Sequence, residues 1–398
     1  MTLEFQKLAQ DIEKMAGRVA QHRHQRAQDA LTARQTLQKY TQDWPAIARA
    51  LHKAETQADP KHYRGARPLN DLEPLATPVP PPTPPAQATI IATDGSQIMP
   101  DRHAAFLYYL INIGGIIYHH GRPTSPTIFS LPEIHYLEYN SAATSQSAIN
   151  IERDLKEISH LARTVWENRD AQSPLLAILD QRLLYWPIGG HESASQKAVA
   201  AWGDEMSAIH HSGGLLAGYI VRPGKTSVIT LLQALAAQPT FDWLTLGQRQ
   251  AGWGLSDADL YADILPPGHR SPVFVDISPA NERFTEQDPH NTVCFFYFNP
   301  GQFGTQIARV DIPLWVADDP DQVALLHALL YDQCRILGDY PYVLARADEM
   351  AVVGKQDQAE LNFMLDLAMQ RQGVHDDLTA KQASKDLARG ARTRHLGP

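Results

Sequence analysis

Two apolar runs of this sequence each lead into a single aspartate. Residues 89–93 are followed by Asp94, Gly95 and Ser96, and residues 175–179 are followed by Asp180. If both runs are buried strands, each carboxylate stands at a strand tip on the rim of a sheet, and Gly95 permits a sharp turn or the close approach of a phosphate. Hard cations such as Mg²⁺ and Mn²⁺ take oxygen ligands, so the pair predicts one shared divalent-metal site. The alternative is that Asp-Gly is an ordinary turn signal.

A metal site that cleaves phosphodiesters usually needs a third or fourth carboxylate, because cations must be held at both the entering and the leaving oxygen. The helix predicted at 148–167 offers Glu152, Asp154 and Glu157. At about 100° per residue these three flank its apolar face on different sides, so each is either a ligand that reaches around a sheet edge or a solvated charge. Lys225, in a predicted turn, is a candidate for binding a phosphate or the transition-state charge, with a solvated lysine as the alternative.

Strands and helices alternate through residues 86–380. The predicted strands are 88–94, 104–113, 115–119, 175–180, 215–222, 227–232, 272–277 and 292–298, with Gly114-Gly115 as a hairpin signal between the second and the third. A strand with Asp, two hairpin strands, a helix and a second strand with Asp follow one another in the order of a ribonuclease H-like fold. We therefore predict an α/β fold with a mixed sheet flanked by helices, in which carboxylates from different elements meet at one end.

The chain divides into four predicted parts. Residues 1–67 form a helical segment whose first turns carry a short heptad seam, which favours helix packing within the chain or across a dimer. The seam consists of Phe5, Leu8, Ile12, Met15 and Val19. Residues 68–85 are a Pro-rich linker, expected to be an extended, semi-rigid spacer. The α/β domain takes up 86–380, and 381–398 form a basic, flexible tail.

Composition excludes several classes of protein. The net charge of the 398 residues is −9, which argues against a uniformly positive surface but not against a local basic groove. Two cysteines cannot build a disulfide framework or a Cys-rich zinc site, and they indicate a reducing cytoplasm. There is no Walker A loop, dinucleotide fingerprint or His-Glu-x-x-His motif. We expect neither a signal peptide nor a membrane span.

Four short motifs, in this order, resemble the NurA nuclease family. They are Asp94-Gly95-Ser96, the apolar run into Asp180, the Arg-Val-Asp-Ile-Pro at 309–313, and the segment 338–348 that begins Gly-Asp-Tyr-Pro-Tyr. The resemblance extends from about 88 to 365. It implies a ribonuclease H-like nuclease domain that uses Mn²⁺, with Mg²⁺ as an alternative. It also implies degradation of DNA from 5′ ends, cutting of single strands, and a homodimer docked on a HerA-like hexameric ATPase during the processing of DNA breaks.

The resemblance assigns roles to individual residues. Asp94 and Asp180 match the family's two metal-binding aspartates, and Glu157 best fits the acidic helix position, with Glu152 as the substitute. Lys225 matches a basic residue that follows a central strand. The implied ligands of Mn²⁺ are therefore carboxylates from three separate elements.

The late motif both matches and departs from the family pattern. Tyr340 matches the tyrosine of a Tyr-Pro pair and is expected to orient the scissile strand or stack on a base. Asp348 stands where the family commonly has a histidine; aspartate can still bind Mn²⁺ or accept a proton. Gln181-Arg182-Leu183 replace the small turn that the family prefers after the second aspartate. Two alternatives follow: a non-catalytic NurA-like subunit that binds DNA and docks on the ATPase, and a metal-dependent phosphohydrolase acting on small nucleotides.

Overall fold

A computed structural model describes residues 5–101, 107–137, 145–170, 172–187, 192–248, 253–301 and 306–373. Its helices are α1 (Phe5–Lys39), α2 (Trp44–Gln57), α3 (Gln146–Glu167), α4 (Glu192–His211), α5 (Ser227–Ala236), α6 (Asp257–Ala262), α7 (Pro279–Gln287), α8 (Leu314–Ala317), α9 (Pro320–Leu337), α10 (Tyr342–Ala351) and α11 (Lys355–Arg371). Its strands are β1 (Gly65–Pro68), β2 (Ala88–Ile98), β3 (Leu107–His120), β4 (Thr127–Leu137), β5 (Leu175–Leu179), β6 (Gly214–Ile220), β7 (Phe274–Ile277), β8 (Val293–Phe298) and β9 (Ala308–Pro313). The predicted tail at 381–398 and residues 104–106 of a predicted strand lie outside the described residues.

One mixed sheet organises the molecule, with the strand order β1-β7-β8-β9-β6-β5-β2-β3-β4. β2, β5 and β6 run parallel to one another, while β3 and β4 continue from β2 as an antiparallel meander. The carboxyl ends of the three parallel strands therefore share one edge of the sheet. This order of meander, helix and parallel strands is the ribonuclease H-like arrangement, so the predicted fold class is confirmed.

The strand predictions failed where glycines or short apolar runs were ambiguous. Gly114 and Gly115 do not make a hairpin but lie inside the single long strand β3. Residues 227–232 form part of helix α5, which is buried on all sides, because a short apolar run does not distinguish a buried strand from a buried helix. β1, β4 and β9 were not predicted as strands.

Helices cover both faces of the sheet. α3 and α4 pack on one face, where Ile158, Leu161 and Trp202 are completely buried. α9 and α10 pack on the other face, and α10 contacts β2 and β3. Within the described residues no helix is both long and apolar enough to cross a membrane.

The N-terminal helices are part of the main fold rather than a separate unit. α1 and α2 pack on α5, and α1 is tied to α6 by Arg26–Asp259 at 2.8 Å and to the loop after it by Arg34–Asp263 at 2.9 Å. The four described side chains of the early seam do not pack within the described part of the chain, and Ile12 remains 52% exposed. Leu8, Met15 and Val19 are also exposed. Packing of the seam across a dimer stays a prediction.

The Pro-rich segment at 68–85 is seated on the sheet. Glu73 accepts two hydrogen bonds from the Arg270 guanidinium, at 2.6 and 3.0 Å, and a third from the Val273 amide. Leu75 is fully buried in the core formed with the N-terminal helices, and Val79 forms a β-bridge with Arg270. The segment therefore follows a fixed path along the sheet.

The contacts of residues 68–85 with the core predict how substitutions in this segment change the free energy of unfolding. Leu75→Ala should lower the free energy of unfolding by about 2–4 kcal/mol, because it leaves a cavity in a closed core. Leu72→Ala, in the same segment but 72% exposed, should change it by less than about 0.5 kcal/mol. Urea unfolding of both variants measures the difference, and equal, small effects would contradict a seated segment.

Candidate metal and nucleic-acid site

Asp94 lies in the interior of a strand, not at its tip. β2 continues to Ile98 because its antiparallel partner β3 extends the ladder beyond the end of β5. On the other side of β2, the pairing with β5 stops at Thr93 and Leu179. Asp94 and Asp180 are the next residues on two neighbouring strands, which in a sheet lie about 4.8 Å apart. The predicted meeting of the two aspartates at one edge is therefore what the topology produces.

Helix α10 sits directly on the strands that carry the site. Gly114 of β3 has no side chain, and a Cβ built there would lie 2.1 Å from the Ala351 nitrogen. The Asn112 amide donates hydrogen bonds to the carbonyl oxygens of Met350 and Ala351, at 3.1 and 2.8 Å, and the Ser96 hydroxyl donates to the second of these. The last carbonyls of α10 are thereby satisfied and its position on the sheet is fixed.

The position of α10 on the sheet brings Asp348 close to Asp94. The side chain of Asp348 is in hydrogen-bonding contact with the Asp94 carboxyl group. Burial raises the pKa of Asp94 to about 6, with further upward contributions from the negative charges of Asp348 and Asp180, against one hydrogen bond from the Gly95 amide. Gly95 does not turn the chain. It leaves room for Arg153, whose Cγ would lie 2.9 Å from an added Cβ.

Tyr340 reaches Asp180 from the turn between α9 and α10. Gly338 ends α9 with a φ of 103°, and Pro341 stands before the first residue of α10. Between them, the Tyr340 hydroxyl hydrogen-bonds to Asp180. Burial raises the pKa of Asp180 although this hydrogen bond lowers it, and the charge of Asp348 raises it further. The Gly-Asp-Tyr-Pro motif thus ends one helix, begins the next and holds a carboxylate.

Glu157 approaches Asp94 from α3, on the opposite face from α10. It is 4% exposed, which corrects the prediction that it flanks the apolar face of its helix. The Thr93 hydroxyl donates to its backbone carbonyl at 3.0 Å, and the Gln181 amide donates to its carboxylate at 2.9 Å. Burial and the nearby charge of Asp94 raise its pKa well above the ordinary value.

Glu152 is engaged elsewhere. Its carboxylate accepts a hydrogen bond from the Tyr109 hydroxyl at 2.8 Å and lies 3.6 Å from His135 and 3.9 Å from Lys156. These partners belong to β3, β4 and α3, away from Asp94. Of the two glutamates offered by the sequence, the structure brings Glu157 to the aspartates.

Lys225 stands near a second, buried group of charges. Arg309 bridges Asp276 at 2.8 Å and Asp311 at 2.7 Å, and Lys225 adds positive charge that lowers the pKa of Asp276 after the larger effect of Arg309. Asp311 also accepts a hydrogen bond from the Leu183 amide at 3.2 Å. The Arg-Val-Asp motif is therefore a buried ion pair that anchors the turn after Asp180.

Two positioning residues were missed by sequence reasoning. Gln181 orients Glu157, and Asp311 holds the turn that carries Gln181. Asp311 belonged to the Arg-Val-Asp-Ile-Pro motif of the family resemblance, but no role was assigned to it; its spacing of two from Arg309 in an apolar run places both on one face of a strand. Nothing in the sequence signalled the contact of Gln181.

The donor set suits a hard divalent cation. Four carboxyl groups, on Asp94, Asp180, Glu157 and Asp348, supply oxygen, and for the first three burial and mutual repulsion disfavour the charged form. As they are placed, no three His, Cys, Asp or Glu side chains in the described part of the chain surround a single point closely enough to hold a metal ion. Binding would therefore require side-chain rotation, which the accessible Asp180 at the rim allows.

Comparison with known proteins adds a family match. A family model described as NurA domain matches residues 88–353, which include all four acidic residues. Among solved structures, the NurA nuclease from Sulfolobus solfataricus is 12% identical over 84% of this chain and 97% of that chain, with a TM-score of 0.46. Human endonuclease V is 10% identical, and the match covers 70% of this chain and 85% of that chain with a TM-score of 0.34. Endonuclease V from Bacillus subtilis is 8% identical, and the match covers 72% of this chain and 86% of that chain with a TM-score of 0.29. No curated protein matches the chain.

The seat of α10 predicts that Gly114→Ala displaces the helix that carries Asp348. The added methyl group would meet backbone atoms, which cannot rotate away, so the free energy of unfolding should fall by about 1–3 kcal/mol. Gly224→Ala, where an added Cβ meets nothing within 4 Å, should be close to neutral. Urea unfolding of both variants is the measurement, and a neutral Gly114→Ala would contradict the close contact.

The raised pKa of Asp94 predicts a pH-dependent gain in stability for Asp94→Asn. Above about pH 6 the folded wild type carries a charge that burial disfavours, so the metal-free variant should be more stable by about 1–2 kcal/mol. The gain should shrink as pH falls and vanish below about pH 4, where the carboxyl is protonated in both the folded and the unfolded state. Urea unfolding in EDTA across this range tests it. Asp170→Asn, at a side chain 89% exposed, should show no such trend.

Proposed function

This chain belongs to the NurA domain family, a family of nucleases, and we propose that it is a metal-dependent deoxyribonuclease. The observation that carries the proposal is the position of Asp94. Glu157 approaches it from α3, Asp348 from α10, and Asp180 from the neighbouring strand. Carboxyl groups gathered in this way, with raised pKa values and without a basic partner for Asp94 or Asp180 among their described hydrogen bonds, are typical of a site that binds a cation.

The residues that would hold Mn²⁺, or Mg²⁺ as an alternative, are Asp94, Asp180, Glu157 and Asp348. When bound, such an ion activates water and neutralises charge that develops on the phosphate. The protein residues supply the geometry. Asp94 is fixed by the pairing of its strand with β3, and Glu157 is held by Gln181.

Tyr340 has two proposed tasks. Its hydroxyl holds Asp180, and its ring, packed edge-on against Tyr219 with centroids 5.7 Å apart, offers a surface that orients the scissile strand. Lys225 remains a candidate for phosphate contact at the loop after β6. In the described structure its charge acts on Asp276 and Asp311.

Family membership also supports more specific proposals about the mode of DNA cleavage and the partner protein. They are 5′-to-3′ exonuclease and single-strand endonuclease activity on single- and double-stranded DNA, and work in DNA end processing and repair with a HerA-like hexameric ATPase. A homodimer and a cytoplasmic location belong to the same set.

The alternative function is a non-catalytic subunit that binds DNA and docks on the ATPase. It is motivated by Asp348 in the position of the family's histidine. The contact of Asp348 with Asp94 favours the enzyme, since an oxygen donor is present at this position and close to the other carboxylates. The structure offers no comparable observation in favour of the non-catalytic subunit.

Asp94→Asn tests the proposal directly. The substitution keeps the shape of the side chain but removes the charge that a cation requires, so Mn²⁺-dependent cleavage of labelled single-stranded DNA should fall by at least about a hundredfold. Mn²⁺ should also raise the melting temperature of the wild type more than that of the variant, because a bound ion stabilises the folded state.

Asp170→Asn, at the opposite end of α3, is the matched control and should retain activity and the response to Mn²⁺. Cleavage by the wild type should stop in EDTA. DNA retention by the wild type without fragments in Mn²⁺ would support the non-catalytic subunit, and full activity of Asp94→Asn would remove Asp94 from the site.

A further inference from the structure

Two adjoining cavities extend along the carboxyl edge of the sheet from Tyr340. The smaller, about 70 Å³, lies between the ends of β6 and β8 and is lined by Tyr340 and Asp339. The larger, about 750 Å³, lies among the loop after β6, α5, α6 and Arg26 of α1. Arg222, Gln306 and Ile307 line both. The two cavities therefore form one trough that leads away from the candidate site, and we call it the β6 trough.

Arg222 stands at the junction of the two cavities. Its φ of 51° places it in the left-handed region, which no other non-glycine residue of the described segments occupies. Such a conformation is unfavourable for a residue with a Cβ and often marks a functional position. Its Nε donates a hydrogen bond to Gln306 at 3.3 Å, and within the described residues no carboxylate lies within 4 Å of its guanidinium. The guanidinium is thus oriented, exposed and not neutralised.

The lining of the trough suits an extended anion. Thr226 contributes a hydroxyl group and Gln248 an amide, one N–H of which donates to the Leu244 carbonyl. The Thr230 hydroxyl also lines the cavity but donates to the Thr226 carbonyl at 2.7 Å. Asp259 also lines the larger cavity, but its charge is balanced by Arg26 at 2.8 Å. Asp339 adds a negative charge beside Tyr340. Among the described residues that line the two cavities, Arg222 is the cation without an ion-pair partner, since Arg26 pairs with Asp259.

We propose that Arg222 binds a phosphate of a single polynucleotide strand, and that this phosphate is not the scissile one but lies further along the strand. The β6 trough then holds the nucleotides that lead from Tyr340 towards Arg26. The inference rests on the proposed nuclease function and adds a phosphate-binding residue and a path for the strand outside the candidate site. A planar guanidinium binds phosphate with two hydrogen bonds. The volume of the larger cavity lies in the range of small-ligand sites, which suits a few nucleotides of a single strand.

The first test is the binding of labelled oligothymidylate in EDTA, which does not depend on catalysis. Arg222→Asn is the variant, because asparagine tolerates a positive φ. It should weaken binding about three- to tenfold at low salt and make the slope of log affinity against log salt shallower by about 0.7, the value for one lost phosphate contact on a single strand. Arg169→Asn, an exposed arginine at the far end of α3, should leave both quantities unchanged.

The second test places a charge in the trough. An added Cβ at Gly224 meets nothing within 4 Å, so a longer side chain fits without displacing the backbone. Gly224→Glu should weaken oligothymidylate binding through repulsion of phosphate, whereas Gly224→Gln, of the same size but uncharged, should bind like the wild type. In Mn²⁺, both Arg222→Asn and Gly224→Glu should slow cleavage of the oligonucleotide more than cleavage of a dinucleotide.

The outcomes separate this inference from the proposed function. If the wild type binds and cleaves DNA but Arg222→Asn has the wild-type affinity and salt slope, the proposed binding of a strand in the β6 trough is contradicted. The proposed nuclease function is then unaffected. If Arg222→Asn slows cleavage of the dinucleotide as strongly as that of the oligonucleotide, Arg222 acts at the scissile phosphate and the proposal is also overturned. If the wild type neither binds nor cleaves DNA, the proposed function itself fails.

Discussion

The candidate site depends on one close contact, that of α10 with β3 at Gly114. The contact requires a residue without a side chain, because backbone atoms of the helix occupy the space where a Cβ would stand. Asn112 and Ser96 then bind the carbonyls at the end of α10, so the helix is fixed in position along the strand as well as above it. Gly114 is the pairing partner of Asp94, and the same contact that joins helix and sheet therefore brings Asp348 to Asp94.

Two groups of acidic residues lie within the same sheet, and their surroundings separate their roles. Asp276 and Asp311 share the buried Arg309, whose positive charge lowers the pKa of Asp276. A carboxylate with such a partner contributes to structure, here by anchoring the turn after β5. Asp94 and Asp180 accept no described hydrogen bond from a basic side chain, and burial raises their pKa values, as it also does for Asp311. Uncompensated carboxyl groups of this kind reduce stability, and proteins retain them where function requires them.

The sequence was sufficient to place the central elements of the site. Two apolar runs with following aspartates correspond to β2 and β5, which are neighbouring parallel strands of the sheet. The position of Asp94 inside β2 was not predictable, since it depends on how far β3 continues beside it. The burial of Glu157 was missed for a related reason. The periodicity of α3 describes its contact with the sheet, whereas Glu157 points to the sheet rim, where Gln181 satisfies it.

Glycine was the residue type most often misinterpreted. Gly95 and Gly114-Gly115 have the local pattern of turns, and all three lie in extended strands. They are small because other groups pass over them: Arg153 over Gly95, α10 over Gly114 and the Phe129 ring over Gly115. A close approach by residues distant in sequence leaves no local pattern, so a single sequence cannot distinguish it from a turn.

The aspartate at position 348 changes the charge balance of the site. A histidine in contact with Asp94 could carry a proton near neutral pH and compensate part of the negative charge. Asp348 instead adds a fourth carboxyl group, and it raises the pKa of both Asp94 and Asp180. Burial and mutual repulsion disfavour ionisation of all four groups together, and a bound cation would relieve that repulsion. If the proposed cation binds here, Asp348 thus supplies a further oxygen donor beside Asp94.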